Sequence, residues 1–333
     1  MWAVNGLLAR IPAQGRGPAR DMVFSTTMAA DPRLLKFLQD TCAGDILLDE
    51  PLSMHTWYRI GGPADVVVFL RSSQQISAIV DMCASTSTPV EYLGEGANVL
   101  ASDEGFRGVV ISLTRHLVSM TRDGTRVSAA AGATLRNVVY FCEQQGLRGV
   151  QFLAGIPGTI GGALIMNAGI DDGAIGDAVA SVSVLGGGGG VQTIEGSSVG
   201  FAYRSAPVLQ NKAVLGCTLS LTEDDPAQLR QYRLDLLRKR AAGQPLEYPS
   251  CGSVFKRPPG HYVGKMVEEA GLKGLRHGDA MISEKHAGFI VNLGSATASD
   301  IMYLIQTVRD AIDKKFDVAL ELEVRLLGAI HAQ

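Results

Sequence analysis

Two glycine-rich segments have the residue types of a phosphate-binding loop. The first glycine loop, residues 94–98, reads Gly-Glu-Gly-Ala-Asn, and the second glycine loop, residues 155–162, reads Gly-Ile-Pro-Gly-Thr-Ile-Gly-Gly. Glycine has no Cβ, so its backbone can turn with positive φ and leave its N–H groups open to a ligand, and converging N–H groups form an anion-binding nest. A tight turn is the simpler interpretation of either segment alone. The presence of two such segments in one chain makes that interpretation less favoured and points to a pyrophosphate site.

Charged residues near the end of the chain follow an alternating pattern. Residues 320–327 predict a strand with leucine and valine on one face and Glu321, Glu323 and Arg325 on the other. A solvated polar face is the simplest interpretation of that pattern. Earlier in the chain, Arg204 carries a planar fork of donors that suits a carboxylate, although most arginines after a strand are only exposed.

Composition places the chain among folded proteins and excludes several functions. Of 333 residues, 46% are hydrophobic and 19% are charged, which is not the composition of a disordered chain. With 30 basic and 33 acidic residues the net charge is −3, so nucleic acid is not expected as the main partner. No apolar run approaches the length of about 18 residues that crosses a bilayer, so no membrane insertion is expected.

The cysteines and the N-terminal residues bear on location and domain organisation. Five scattered cysteines without a C-x-x-C pair predict neither a disulfide framework nor a metal site, and a reducing cytoplasm is the expected location. Residues 1–30 place their arginines after an apolar patch, the reverse of a secretory signal, and are predicted to be a loose extension. A composition shift near residues 223–226 divides the remainder into 31–225 and 226–333.

The elements that must position these residues are helices and strands in mixed order. Capping residues predict helices that begin near Ser72 or Ser73, Thr134, Asp225 and Ser299. The predicted strands are residues 64–70, 109–113, 126–131, 178–185, 213–221, 288–292 and 320–327. Strands grouped in the middle of the chain favour an α+β fold. The chain lacks both G-x-G-x-x-G after a strand and a Walker motif, so a Rossmann fold is not favoured. A glycine run, residues 186–190, is predicted to be a flexible hairpin tip.

An ordered series of motifs gives the chain a specific resemblance. The motifs are residues 55–65 (HTWYRIGGPAD), 94–98 (GEGAN), 155–162 (GIPGTIGG), 203–205 (YRS), 249–256 (PSCGSVFK), 283–289 (SEKHAGF) and 322–325 (LEVR). Together they resemble the UDP-N-acetylenolpyruvoylglucosamine reductase (MurB) family over residues 50–328. The short connection between Arg204 and Ser253 resembles the subtype of that family that lacks a tyrosine-bearing loop.

The resemblance implies a fold and two cofactors. It implies a vanillyl-alcohol-oxidase-type FAD-binding module of two α+β subdomains, residues 31–225, followed by an α+β substrate domain, residues 226–333. FAD is expected to be dissociable, because the first glycine loop lacks the histidine that often attaches flavin covalently, and NADPH is the implied hydride donor. The implied FAD-binding residues are Gly94, Gly96, Ala97, Asn98, Val99, Gly155, Ile156, Pro157, Gly158, Thr159, Gly161 and Gly162.

The resemblance also implies a reaction and the residues that perform it. The reaction is reduction of UDP-N-acetylglucosamine enolpyruvate to UDP-N-acetylmuramate in peptidoglycan precursor synthesis, so the partner is a small nucleotide sugar. Ser253 would donate a proton, and Arg204 with Glu323 would polarise the substrate carboxylate, which requires a raised pKa for Glu323. Arg257 and Arg325 would contact the substrate. Ala97 and Arg257 depart from the usual serine and asparagine of the family.

Two alternatives remain open at this point. One is another vanillyl-alcohol-oxidase-type flavoprotein, an oxidase acting on a different sugar or alcohol. The other is a non-catalytic protein that binds a nucleotide sugar or flavin. Two tempting residues are given structural roles: Cys251 is interpreted as a packing residue and His286 as a structural histidine before a buried strand.

Overall fold

The computed structural model describes residues 31–42 and 44–330. The predicted extension, residues 1–30, lies outside them. The helices, numbered in chain order, are α1 (Pro32–Cys42), α2 (Ser73–Ser85), α3 (Leu135–Gln144), α4 (Ile160–Met166), α5 (Pro226–Gly243), α6 (Val263–Glu269) and α7 (Ala298–Phe316). None of these helices is long and apolar enough to cross a membrane.

The strands include several pieces of only two or three residues. In chain order they are β1 (Ile46–Pro51), β2 (Pro63–Phe69), β3 (Val90–Leu93), β4 (Val99–Ala101), β5 (Phe106–Ser112), β6 (Met120–Asp123), β7 (Arg126–Ala130), β8 (Leu147–Arg148), β9 (Gly169–Ile170), β10 (Gly173–Ala174), β11 (Val179–Leu185), β12 (Val191–Glu195), β13 (Val214–Ser220), β14 (Thr222–Glu223), β15 (Arg276–His277), β16 (Ala280–Ile282), β17 (Ile290–Asn292) and β18 (Arg325–Leu327). The α+β class is confirmed.

A mixed sheet of order β1-β2-β5-β3 forms the first layer of the N-terminal part. The central strand β2 is buried from Ala64 to Phe69, because α1 and α2 supply Leu34, Leu38, Ile76 and Ile79 to one of its faces. The strands β2, β5 and β3 run parallel, and β1 is antiparallel to β2. This apolar run on both faces is typical of a strand covered on two sides.

A second, antiparallel sheet of order β12-β11-β13-β7-β6 shares its core with the first. Helices α3 and α4 pack against it. Thr134 caps α3 and Thr159 caps α4, each through a side-chain oxygen that accepts a backbone N–H. The caps predicted at Ser72, Thr134 and Asp225 are confirmed. The last helix begins earlier than predicted, because Thr297 and not Ser299 is its cap.

The C-terminal part has its own hydrophobic core. Its sheet has the order β15-β16-β17, and α6 and α7 pack beside it. The predicted strand 320–327 is wrong over most of its length, because only β18 is a strand, paired in parallel with β4. The residues before β18 lie between the two parts of the chain. Among them only Leu322 forms a β-bridge, with Phe255. The predicted alternation also fails at its end, where Leu326 is exposed and Leu327 is buried.

Two other features differ from or qualify the predictions. The glycine run 186–190 does connect two strands, β11 and β12, but one of its glycines is packed: a Cβ on Gly189 would lie 3.1 Å from Cα of Gln74 in α2. The long helix α5 packs on α3, where Arg233 and Glu143 form a two-pronged ion pair. The division of the chain at residue 226 stays a prediction.

Candidate active site

The structure joins Arg204 and Glu323, which lie 119 residues apart in the sequence. Arg204 Nε donates to Glu323 Oε1 at 2.5 Å, and its Nη2 donates to the carbonyl oxygen of Gly169 at 3.2 Å. Arg204 itself has a left-handed backbone, with φ +52°, in a tight turn closed by hydrogen bonds between Ala202 and Ser205. The turn aims the guanidinium toward the other part of the chain.

Glu323 sits in a site that favours its neutral form. Burial raises the pKa of the Glu323 carboxyl, and the adjacent Arg204 guanidinium offsets part of that rise without reversing it. Burial and the ion pair therefore act in opposite directions, and burial prevails. The expectation that this pKa is raised agrees with the structure.

Ser253 reaches the same place through backbone pairing on both sides. It forms a bridge with Phe289 on one side, and the N–H of Glu323 donates to the carbonyl of Val254 at 2.8 Å on the other. The preceding residue, Gly252, has φ +75° and nothing near the position of a Cβ, so its left-handed turn leaves the approach to Ser253 open. The Ser253 side chain is exposed to the cavity.

A cavity of about 370 Å³ contains these three residues. Its lining is formed by Tyr203, Arg204, Ser253, Phe255, Arg257, Tyr262, Val263, Gly264, Lys265, Glu268, Lys273, Lys285, His286, Ala287, Gly288 and Glu323. The lining holds more basic than acidic side chains, which suits an anionic ligand. The fold thus surrounds the Arg204–Glu323 pair with positive charge.

The two glycine loops lie against each other. The N–H of Gly158 donates to Glu95 Oε2 at 3.0 Å, and a Cβ on Gly94 would lie 2.5 Å from Oγ1 of Thr159. Gly96, Gly155 and Gly158 all have positive φ. Burial raises the pKa of Glu95. In the second loop the N–H groups of Ile160 and Gly161 donate to Ala133 and Ala131. The positive-φ glycines and missing Cβ atoms of both loops nevertheless allow the close approach of a dinucleotide cofactor's diphosphate.

Asn98 links the first glycine loop to the Arg204–Glu323 pair. Its side-chain amide donates to the carbonyl of Glu323 at 2.8 Å, and its own carbonyl accepts from the N–H of Arg325 at 3.0 Å. Cys251 adds a third hydrogen bond, since its thiol donates to the carbonyl of Val99 at 3.2 Å. The loop and Glu323 are therefore held in fixed register.

Comparisons with known proteins agree with this geometry. A family model described as UDP-N-acetylenolpyruvoylglucosamine reductase, C-terminal domain, matches residues 244–327, and one described as FAD binding domain matches residues 64–195. The reductase 2 of that name from Symbiobacterium thermophilum is 41% identical over 89% of this chain and 96% of the relative. The reductase from Listeria innocua is 44% identical over 85% of this chain and 95% of the relative.

The chain belongs to the UDP-N-acetylenolpyruvoylglucosamine reductase family. A solved family structure, the MurB crystal structure from Thermus caldophilus, superposes with a TM-score of 0.70 at 33% identity, covering 85% of this chain and 98% of that one. The resemblance seen in the motifs is confirmed. The chain is therefore an oxidoreductase with an FAD-binding domain. The subtype without the tyrosine-bearing loop stays a prediction.

The two residues predicted to contact the substrate, Arg257 and Arg325, have different surroundings in the structure. Arg257 lines the cavity, pairs with Asp171 at 3.1 Å and lies over the ring of Tyr262. Arg325 is exposed and is not among the residues that line the cavity. The roles of both residues stay predictions.

The two residues set aside in the sequence analysis have structural surroundings. Cys251 is buried, and burial raises the pKa of its thiol, which disfavours the nucleophilic thiolate. His286 lines the cavity, but its Nδ1 accepts from the N–H of Gly288 at 3.2 Å and burial lowers its pKa, so the ring is held in its neutral form.

Sequence reasoning missed several cavity residues. Lys265 and Lys273 lie on or just after α6, and neither stands in a pattern that marks a ligand. Lys285 lies before β17 in the motif 283–289, but that motif gave it no role. Lysine is common on protein surfaces. Only the convergence of distant segments separates these lysines from solvated ones.

Proposed function

We propose that this protein reduces UDP-N-acetylglucosamine enolpyruvate to UDP-N-acetylmuramate for peptidoglycan, with NADPH as hydride donor and FAD held without a covalent bond. One observation carries the proposal: Ser253 and the Arg204–Glu323 pair, from three distant segments, line one basic cavity. Reduction of a double bond beside a carboxylate needs a proton donor and groups that stabilise developing negative charge. This set of residues offers both.

Arg204 and Glu323 would act on the substrate carboxylate. Two nitrogens of the Arg204 guanidinium are fixed by Glu323 and by the carbonyl of Gly169, so the plane of the fork is set before substrate binds. Nη1 has no protein partner among the described residues and can donate to the carboxylate. Glu323, in its protonated form, would add a second donor as charge grows on that group.

Ser253 would give its hydroxyl proton to the carbon that bears the carboxylate. A serine hydroxyl is a weak acid, so it serves only where the accepting carbon is strongly basic and well placed. The backbone pairing of the Ser253 segment on both sides fixes that placement relative to Glu323. The lysines of the lining and Arg257 would bind the diphosphate of the nucleotide sugar.

The two glycine loops would hold the cofactor. FAD, when bound, supplies the hydride that reaches the terminal carbon of the substrate. The residues proposed to hold it are Gly94, Gly96, Ala97, Asn98, Val99, Gly155, Ile156, Pro157, Gly158, Thr159, Gly161 and Gly162. Binding without a covalent bond follows from the Gly-Glu-Gly sequence of residues 94–96. A location in the cytoplasm is part of the same proposal.

Separate measurement of the two half-reactions tests the role of Ser253. Ser253→Ala should leave reduction of bound flavin by NADPH near its normal rate and slow reoxidation by the enolpyruvyl nucleotide by about 10²-fold or more, the scale of a lost general acid. Stopped-flow absorbance of the flavin bands follows both steps. Ser295→Ala, an exposed serine outside the cavity, is the matched control and should change neither rate.

Two outcomes would contradict the proposal. Equal slowing of both half-reactions would remove Ser253 from the proton-donor role. Rapid reaction of reduced flavin with oxygen, together with no reoxidation by the enolpyruvyl nucleotide, would favour a flavoprotein oxidase.

A further inference from the structure

Arg240, in the last turn of α5, is a half-buried cation without a partner in the part of the chain that the structure describes. Its Nε is fully buried and makes no hydrogen bond within residues 31–42 and 44–330. The other guanidinium nitrogens form no hydrogen bond or ion pair with the described residues either. Of the other three arginines of the same helix, Arg233 is paired with Glu143 and Arg238 with Asp235, and the third, Arg230, is exposed to solvent.

The side chain of Arg240 lies directly against the second glycine loop. A Cβ on Gly155 would lie 2.7 Å from Cδ of Arg240 and 3.3 Å from its Nε. Two observations explain glycine at position 155. Its φ is +78°, and the aliphatic part of the Arg240 side chain occupies the space that a Cβ would need. The Arg240 guanidinium is thus set beside the second glycine loop, three residues before Gly158.

A bound anion would stabilise the unpaired and partly desolvated guanidinium of Arg240. Buried charges in proteins are normally paired, because an unpaired one has lost its hydration without gaining a counter-charge. Burial lowers the pKa of Arg240, in line with that penalty. The carboxylate that enters the glycine loops, Glu95, is held by the N–H of Gly158 and forms no ion pair with Arg240.

We propose that Arg240 binds the diphosphate of FAD, so that a side chain of α5 completes an anion site otherwise made of backbone N–H groups. The proposal rests on FAD binding by the glycine loops and does not depend on the substrate or on the reaction. A guanidinium fork suits a phosphate better than an ammonium does, because it can donate two parallel hydrogen bonds.

The test is FAD binding to the full-length protein after removal of its flavin. Arg240→Met keeps the length of the stem and removes the charge, and it should weaken FAD binding by about 10- to 100-fold, the scale of one lost charge-assisted contact. Arg240→Lys should fall between Met and wild type. Arg238→Met, on the same helix but exposed and paired with Asp235, should bind FAD as wild type does. Fluorescence quenching of FAD on titration measures the dissociation constants.

Two further readouts separate cofactor binding from packing and from a contact to the flavin ring. The melting temperature of the flavin-free Arg240→Met protein should equal or exceed that of wild type, because an unpaired cation is removed. At saturating FAD its flavin absorption spectrum should be unchanged. Unaltered FAD affinity, an equal loss of stability with and without FAD, or a shifted flavin spectrum would each overturn the proposal. Normal FAD binding by wild type in the same titration shows that only the Arg240 assignment has failed.

Discussion

The two glycine loops and the cavity around Arg204 are built in different ways. The loops are two contiguous segments that offer backbone N–H groups, and they touch through the hydrogen bond from Gly158 to Glu95. The cavity is assembled from side chains of several distant segments, and its central contact joins Arg204 to Glu323. The cofactor side therefore depends on local backbone shape, and the substrate side depends on how distant parts of the chain meet. Variants on one side should leave the other side working.

The largest expected effect is a loss of turnover when the cavity around Arg204 is altered and the glycine loops are left intact. Arg204→Met removes the donor fork and leaves Glu323 without its cation, so turnover should fall by about 10³-fold, as for a lost donor to developing negative charge. FAD affinity should stay within about twofold of wild type, since Arg204 contacts neither glycine loop. Steady-state kinetics and an FAD titration of the same preparation check both halves. A parallel loss of FAD would show that the two sides are not separable.

The next effect breaks the cofactor side alone. Gly158→Val forces a β-branched residue into φ +119° and places its side chain toward Ala97 of the first glycine loop, so FAD affinity should fall by about 10- to 100-fold, the scale of one strained residue. The matched control is Gly124→Val, at φ +57° in an exposed turn with nothing near its Cβ position. The control should lose stability but keep its flavin. Full retention of bound FAD by the Gly158→Val protein would contradict the assignment of the loop.

A smaller effect concerns the pH dependence of the substrate side. Burial raises the pKa of Glu323, so its protonated, hydrogen-bond-donating form persists above the usual carboxyl range and is lost as pH rises through the raised value. Flavin reoxidation by the substrate should therefore slow by about tenfold per pH unit above that value. Glu323→Gln keeps a hydrogen-bond donor that does not titrate, so it should remove the fall in the reoxidation rate at high pH. A profile unchanged by the substitution would assign the limb to another group.

The same carboxyl should affect stability in the same pH range. For an acid whose pKa is raised in the folded state, the stabilising contribution is present below the pKa of the unfolded chain and is lost as pH rises through the folded value. Thermal melting of wild type and Glu323→Gln across this range measures that contribution.

The smallest effect lies at the rim of the cavity. Arg257→Met removes the ion pair with Asp171 and a cation that faces the ligand, so KM for the nucleotide sugar should rise by about fivefold with kcat unchanged, the scale of one exposed ion pair. Arg325→Met, at a position outside the lining, provides the comparison. A larger rise in KM for the Arg325 variant than for the Arg257 variant would place the diphosphate elsewhere.

Local signals explain why much of the fold was predictable. Ser72, Thr134 and Asp225 each accept a backbone N–H at the first turn of a helix, and that chemistry depends only on a few neighbouring residues. The glycine loops were visible for the same reason. The segment 320–327 was predicted as one strand because its alternation is local, but strand formation depends on a partner, and β4 pairs with only three of its residues.

The catalytic group was less visible from residue patterns. Arg204 and Glu323 were singled out by resemblance, since an arginine after a strand and a glutamate in an alternating segment are both common on surfaces. Lys273 and Arg240 stand in no motif, and Lys285 stands in the motif 283–289 without an assigned role, because their roles arise from what the fold places beside them.

The hydrogen bonds that join Asn98 to Glu323 and Arg325 make a seam between the two parts of the chain. Only one of the four groups in these bonds, the Asn98 amide, belongs to a side chain. A chimera that takes its first part from one relative and its second part from another should therefore keep Glu323 in register with the cofactor loop when the first parent supplies asparagine at position 98, and should displace the acid when it does not.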